Sequence, residues 1–347
     1  MSFSYGSAPD EIDERQRTND SDPDISIVVP VYKSEEMLRE LSGRLERVAQ
    51  GRPETFELIL VCDGSPDGSW GVIESLNPAG LDVVGIRLSR NYGQHNALLA
   101  GIRAARGDLI VTIDDDLQHP PEEIPVLLEA LTSEFDVVYG HPRKLPHSGW
   151  RNLTSWLTKL TLSRAMGAET ARRASAFRAF RTPLRRAFAD YQAPYVSIDA
   201  LLTWGTFRFR SVMVDHHPRK AGRSNYTFWK LFTNAMTMMT GFSTLPLRIT
   251  SAIGLFFTLF GLAVLVWVLG RYFIQGGAVP GFPFIASTIA IFSGAQLFAL
   301  GIMGEYLARI HLRTMDQPPY LVSEVAGSRS REAEKSRAPQ AALEVPT

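Results

Sequence analysis

The sequence is short of cysteine. Cys62 stands alone, so no internal disulfide can form and no Cys-x-x-Cys spacing offers a metal site. An excess of charge of either sign is also missing, because 36 Lys and Arg balance 36 Asp and Glu. With a formal net charge of zero there is no broad field to draw in a nucleic acid, and any anion site must be built locally. The first β-rich run is not followed by Gly-x-Gly-x-x-Gly, and there is no Gly-Lys-Ser/Thr loop. A dehydrogenase and a P-loop enzyme are both disfavoured. The stretch from Met1 to Pro23 has no apolar core and is rich in Asp, Glu and Ser, which predicts a disordered tail over 1–23 rather than a signal peptide.

What the chain does have is 347 residues, 45% of them hydrophobic, and two long uncharged runs. Ile249 to Gly270 matches the roughly 20 residues that span a bilayer. The second run, Gly276 to Gly304, has Pro280 and Pro283 near its start, which places the helix proper at about 284–304. Two helices at about 249–273 and 284–304 predict a transmembrane hairpin within 247–310, against the alternative of two buried helices in a large soluble core. Arg219, Lys220, Arg223, Lys230 and Arg248 precede the first span, while Arg309, His311 and Arg313 follow the second. The excess of cations predicts an inner (plasma) membrane protein with both termini and the catalytic domain cytoplasmic.

Upstream, strand and helix alternate. Strands are expected at Ile25–Val29, Phe56–Val61, Val83–Leu88 and Leu109–Ile113, and helices at Glu35–Ala49, near Trp70–Leu76 and at Gln94–Ala105. Such alternation predicts a parallel α/β sheet, whose ligands bind outside the carboxyl ends of the strands. Three of those ends stand out: Pro30-Val31-Tyr32, Cys62-Asp63-Gly64-Ser65 and Asp114-Asp115-Asp116-Leu117-Gln118. Asp63 can accept hydrogen bonds from a base or ribose, or belong to an ordinary turn before a helix. In extended chain, Asp114, Asp116 and Gln118 point one way and Asp115 the other. Close carboxylates repel unless a cation sits among them, and hard oxygen donors suit Mg²⁺ or Mn²⁺. A solvated acidic turn ahead of Pro120-Pro121-Glu122-Glu123 is the alternative.

The segments VVPVY (28–32), CDGSPDGS (62–69), SRNYGQHNALLAG (89–101), DDDLQHPPEEIP (114–125), RKAGRSNY (219–226) and GEYLARI (304–310) occur together in this order. In this the chain resembles the family 2 inverting glycosyltransferases, within them the polyprenyl-phosphate sugar transferases typified by dolichyl-phosphate mannose synthase and bactoprenol glucosyltransferase. It is especially similar to the undecaprenyl-phosphate 4-deoxy-4-formamido-L-arabinose transferase branch. The likeness extends over roughly residues 24 to 322.

The resemblance implies a Rossmann-like GT-A domain over 24–226, an interfacial amphipathic helix over 227–246, the hairpin, and a cytoplasmic segment over 311–347 that is disordered after about 323. It implies a donor that is a UDP- or GDP-linked sugar, an acceptor that is a polyprenyl phosphate, and a homo-oligomer, tetrameric in some members. Pro30, Tyr32, Glu36, Asp63 and Asp115 would hold the donor nucleotide, and Asp114, Asp116 and Gln118 the metal. Arg143, Arg151, Arg178, Arg219 and Ser224 would lie on the phosphate or acceptor side. Cys62 replaces the first aspartate of the usual Asp-Asp-Gly-Ser, and Ala176 stands where many relatives carry an aspartate before Phe177-Arg178.

A lipid phosphate monoester has a second pKa near 6, so it reaches the enzyme already deprotonated and needs no general base. It needs charge neutralisation, which forked guanidinium groups supply. Trp150, Leu153, Trp156, Leu157 and Leu160, and likewise Phe228, Leu231, Phe232, Ala235, Met239 and Phe242, recur at helical spacing that suits the headgroup plane or an ordinary core. His216 and His217 read as structural histidines. A processive polysaccharide synthase is one rival, although the Gln-x-x-Arg-Trp segment is missing. A non-catalytic membrane scaffold on the same fold is the other.

Overall fold

The computed structural model describes residues 22–142, 174–193, 195–217, 245–275, 281–315 and 317–327. The β-branched and aliphatic runs form an eight-stranded mixed sheet. Its strands are β1 (Ile25–Val31), β2 (Phe56–Cys62), β3 (Leu81–Leu88), β4 (Leu109–Thr112), β5 (Val137–Pro142), β6 (Arg178–Arg181), β7 (Phe209–Val214) and β8 (Val322–Gly327), in the spatial order β7-β5-β6-β4-β1-β2-β3-β8. The run β3-β2-β1-β4 is parallel throughout. β6 lies antiparallel between β4 and β5.

Every residue of β1 and β2 is buried, as expected of strands covered on both faces. Ile27, Val29 and Val31 pack on one side against Leu38, Leu41 and Leu45 of α1 (Glu35–Gln50), Ile73 of α2 (Ser69–Ser75) and Leu127 of α4 (Ile124–Ala130). Val28, Ile59 and Val61 face the other way, against Leu98, Leu99 and Ile102 of α3 (Gln94–Ala104) and Leu201 and Leu202 of α5 (Ile198–Gly205). β2 and β4 flank β1 on opposite sides and connect through opposite faces. The chain therefore parts at the carboxyl ends of β1 and β4, where open α/β sheets leave a crevice.

Two long helices follow, α6 (Leu245–Gln275) and α7 (Phe282–Thr314). Leu247–Arg271 and Ile291–Leu312 are each long and apolar enough to cross a membrane. Leu255, Phe256, Leu259, Leu262 and Leu297 are more than half exposed, an outward apolar surface that fits lipid far better than water. The two helices meet at Phe257 and Phe292, whose rings stand edge to face at 5.8 Å.

α7 runs beyond the expected end at residue 304, and its continuation carries the Glu305–Arg309 ion pair at helical spacing. Order also extends past residue 323. Val322–Gly327 pairs antiparallel with β3, and Ser89 donates its N–H to the Leu321 carbonyl at 2.9 Å. The expected disorder is corrected over these residues, because the open edge of β3 supplies a ladder for them. The segments expected to lie in the headgroup plane, around 150–160 and 227–242, fall outside the described residues, as do 1–21 and 328–347.

Candidate active site

A cavity of about 240 Å³ opens at the carboxyl ends of the parallel strands, lined by Pro30, Val31 and Tyr32 at the end of β1, Asp63 after β2, and Asp114, Asp115 and Asp116 after β4. The turn after β3 adds Asn91, Gly93 and Gln94. Four separate strand ends thus bring their polar residues to one cleft.

The acidic run is less regular than strand alternation predicts. β4 stops at Thr112, and Leu117 takes a left-handed backbone, φ 57°, with its side chain buried in the core. That turn breaks the extended register. All three aspartates line the cavity, whereas Gln118 is not part of its lining. The Gln118 N–H donates to Asp116 Oδ1 at 3.1 Å, and its carbonyl accepts the His217 N–H at 2.8 Å. Asp115 turns toward β1: its Oδ2 accepts the Tyr32 N–H at 3.1 Å and the Ser34 hydroxyl at 2.5 Å. Burial pushes its carboxyl up and these two bonds pull it back, while Asp116 adds to the rise. Asp115 therefore anchors the β1–α1 loop.

Asp63 is buried and already engaged. Its two oxygens accept the backbone N–H groups of Tyr92 at 2.7 Å and Gly93 at 2.8 Å. Desolvation raises its pKa, against the pull of those two bonds. Each oxygen keeps one lone pair for a ligand. Glu36 is exposed and is not part of the cavity lining; its neighbour Glu35 accepts the Gly68 N–H at 2.9 Å and locks the β2–α2 loop.

Arg178 does not lie open to the cleft. It is fully buried, pairs with Asp199 and donates from Nε to Thr112 Oγ1 at 3.1 Å, while Tyr139 donates its hydroxyl to the same Asp199 carboxylate at 2.9 Å. Burial drives the Tyr139 pKa up, and Asp199 adds to it. The arginine expected on the acceptor side therefore ties β4, β5, β6 and α5 together. Arg143, Arg151, Arg219 and Ser224 lie outside the described residues.

Among the described residues, no three His, Cys, Asp or Glu side chains converge as a complete metal cage. The cavity's donors fit a divalent cation of a different habit. Mg²⁺ and Mn²⁺ bind through one or two carboxylates and take their other oxygens from phosphate and water, and Asp114 and Asp116 supply such a pair. The sequence gives Gln94 no role beyond its place in the segment SRNYGQHNALLAG. Its amide Nε2 donates to Asp114 Oδ1 at 2.6 Å.

Residues 26–190 match the family model described as Glycosyl transferase family 2. The undecaprenyl-phosphate 4-deoxy-4-formamido-L-arabinose transferase of Proteus mirabilis (strain HI4320) is 35% identical over 306 residues, covering 87% of this chain and 94% of that protein. The protein of that name from Shewanella sediminis (strain HAW-EB3) is 36% identical, with coverage of 87% and 92%. Glucosyl-3-phosphoglycerate synthase from Mycobacterium tuberculosis, solved with Mn²⁺, UDP and glucosyl-3-phosphoglycerate, superposes with a TM-score of 0.47 at 18% identity, over 63% of this chain and 78% of that one.

Proposed function

The chain belongs to glycosyl transferase family 2, and we propose that it transfers a sugar from a nucleotide donor to a polyprenyl phosphate at a membrane surface. The observation that carries this reading is the meeting of Asp63, Asp114, Asp115 and Asp116 in one strand-end cavity, in a chain that also owns two membrane-length apolar helices. Relatives covering most of its length are named for undecaprenyl phosphate and 4-deoxy-4-formamido-L-arabinose, so that lipid and that sugar head the candidates.

In this account Pro30, Tyr32 and Asp63 hold the nucleoside. Asp114 and Asp116 would hold Mg²⁺ or Mn²⁺ beside the donor diphosphate. The bound cation would supply charge neutralisation on the leaving diphosphate. Asp115 keeps Tyr32 in place through the β1–α1 loop. A phosphate oxygen of the lipid attacks the anomeric carbon opposite the leaving group. The new C–O bond forms as the bond to the nucleoside diphosphate breaks, with inversion and no proton to remove. Arg143, Arg151, Arg219 and Ser224 are assigned to the incoming phosphate.

We infer that the catalytic domain lies on the cytoplasmic side. The cations at the start of α6 and the end of α7 fall there, and the hairpin loop between Gln275 and Pro283 carries no charge. Arg309, whose guanidinium lies 5.1 Å from the Tyr195 ring, and β8, which returns to the sheet directly after the second span, support a catalytic domain on the same side as the end of α7.

The test incubates membranes holding the protein with labelled nucleotide sugars, undecaprenyl phosphate and Mg²⁺ or Mn²⁺. A labelled product that extracts with lipid and needs the metal is expected from at least one donor. Label recovered only in a growing polysaccharide would favour a processive synthase, and no incorporation from any donor would leave only a scaffold.

A further inference from the structure

We propose that Gln94 is a positioning residue for Asp114, and that Asp63 and Gly64 serve the same contact by fixing the turn that carries Gln94. The proposal rests on the reading of Asp114 as a carboxylate that holds the donor diphosphate through a metal.

The contact bridges two strand ends. Gln94 opens α3, directly after the turn that leaves β3, while Asp114 follows β4. The Nε2–Oδ1 distance is 2.6 Å, a short contact for an amide donor. A carboxylate with one oxygen committed to an amide is held in orientation, and Asp114 is so held in the cavity wall. The glutamine is neutral, so it orients the carboxylate without cancelling the charge that a cation and a diphosphate would use. An arginine or lysine in its place would bring a competing cation.

A side chain can only orient another if its own backbone is fixed, and the turn before Gln94 is held from several directions. Asp63 accepts both consecutive N–H groups, those of Tyr92 and Gly93. Gly64 has φ +57°, and a Cβ there would lie 2.3 Å from the Arg90 carbonyl carbon and 2.4 Å from the Asn91 nitrogen. Backbone packs directly on backbone, which a side chain would prevent. Asn96 donates from Nδ2 to the Tyr92 carbonyl at 2.6 Å, and the Arg90 guanidinium lies 4.8 Å from the Tyr92 ring. Gly93 itself has φ 96°, a conformation open chiefly to glycine. The Asp63-Gly64 pair therefore clamps the Asn91–Gly93 turn, and the turn aims Gln94 at Asp114.

The experiment uses the full chain in detergent or nanodiscs with UDP as the nucleotide probe, and follows Mn²⁺ binding by the loss of the free-ion electron paramagnetic resonance signal. Gln94→Ala and Gln94→Met are compared with the wild type; methionine keeps the length and loses the donor. Both should weaken Mn²⁺ binding in the presence of UDP by about 10-fold or more, the range for removing a hydrogen bond to a metal ligand. They should lower kcat comparably, leave KM for undecaprenyl phosphate unchanged, and leave the thermal unfolding midpoint unchanged because Gln94 is exposed. Asp63→Asn, which replaces one acceptor by a donor, should shift Mn²⁺ binding in the same direction. Wild-type Mn²⁺ affinity in Gln94→Met would overturn the positioning role alone. Failure of the wild type to bind Mn²⁺ with UDP would overturn the reading of Asp114 on which it rests.

Discussion

Two polar clusters lie close together at neighbouring strand ends, and they treat charge in opposite ways. Behind β4, Arg178 and Asp199 face each other inside the protein, sealed by Tyr139 and Thr112. In front of β4, the Gln94 amide donates to Asp114 and the Ser34 hydroxyl to Asp115, and both carboxylates line a cavity. A buried charge balanced by an opposite charge has little left to offer a ligand. Carboxylates oriented by amides and hydroxyls keep their negative potential and can give it to a cation. On the proposed function, the first cluster belongs to the fold and the second to the chemistry.

Substitution at the cleft should have the largest effect. Asp116→Asn should reduce product formation by at least about 10²-fold to 10³-fold, in line with losing one preorganised electrostatic group, while the unfolding midpoint stays put. Arg178→Met should act on stability instead, costing up to about 3–5 kcal/mol because the largely enclosed Asp199 carboxylate loses its counter-charge. Chemical denaturation measures this, and adding Asp199→Leu should recover most of the loss. A fall in specific activity without a fall in stability would break the comparison and return Arg178 to the acceptor side.

His119 lies at the seam between the clusters. It stacks on Phe177 at 5.1 Å, and its Nδ1 has no hydrogen-bond partner among the described residues. Burial, then the neighbouring His216, lowers its pKa from 6.5 to about 4. The unfolded chain therefore takes up the proton first. Stability supplied by neutral His119 is fully present above pH 6.5 and is lost as the pH falls toward 4, up to about 3 kcal/mol in all. A His119→Phe variant should show a flatter acid limb in denaturation measured across that range. Ser34→Ala should give the smallest effect: about 1 kcal/mol, seen as a roughly 5-fold rise in donor KM as Asp115 loses one of its bonds.

Much of this division was legible in the residues, for physical reasons that differ along the chain. β1, β2 and β4 read clearly because strands buried on both faces are continuous apolar runs. The two long helices read clearly because lipid demands uninterrupted apolar sequence. β6 is only Arg178–Arg181, with a cation at each end; what makes it a strand is pairing with β4 and β5, which no local pattern encodes. β8 was hidden for a similar reason, since its ladder partner β3 lies more than two hundred positions away.

At the site, the three aspartates stood out by composition, but their directions did not. Leu117 is left-handed with its side chain buried, and that turn removes Gln118 from the register that alternation assigns. The same limit hid the burial of Arg178, whose partner Asp199 sits on a separate helix. Gln94 was visible inside its motif, yet its partner is 20 residues on and across a strand boundary.

The most direct test of the central claim measures initial rates of labelled-sugar transfer to undecaprenyl phosphate by purified protein in proteoliposomes, first in excess chelator and then with Mn²⁺ titrated back. The account predicts no transfer in chelator, full recovery by the wild type, and no recovery by Asp116→Asn at any Mn²⁺ concentration. A full rate in chelator, or wild-type recovery by Asp116→Asn, would contradict it.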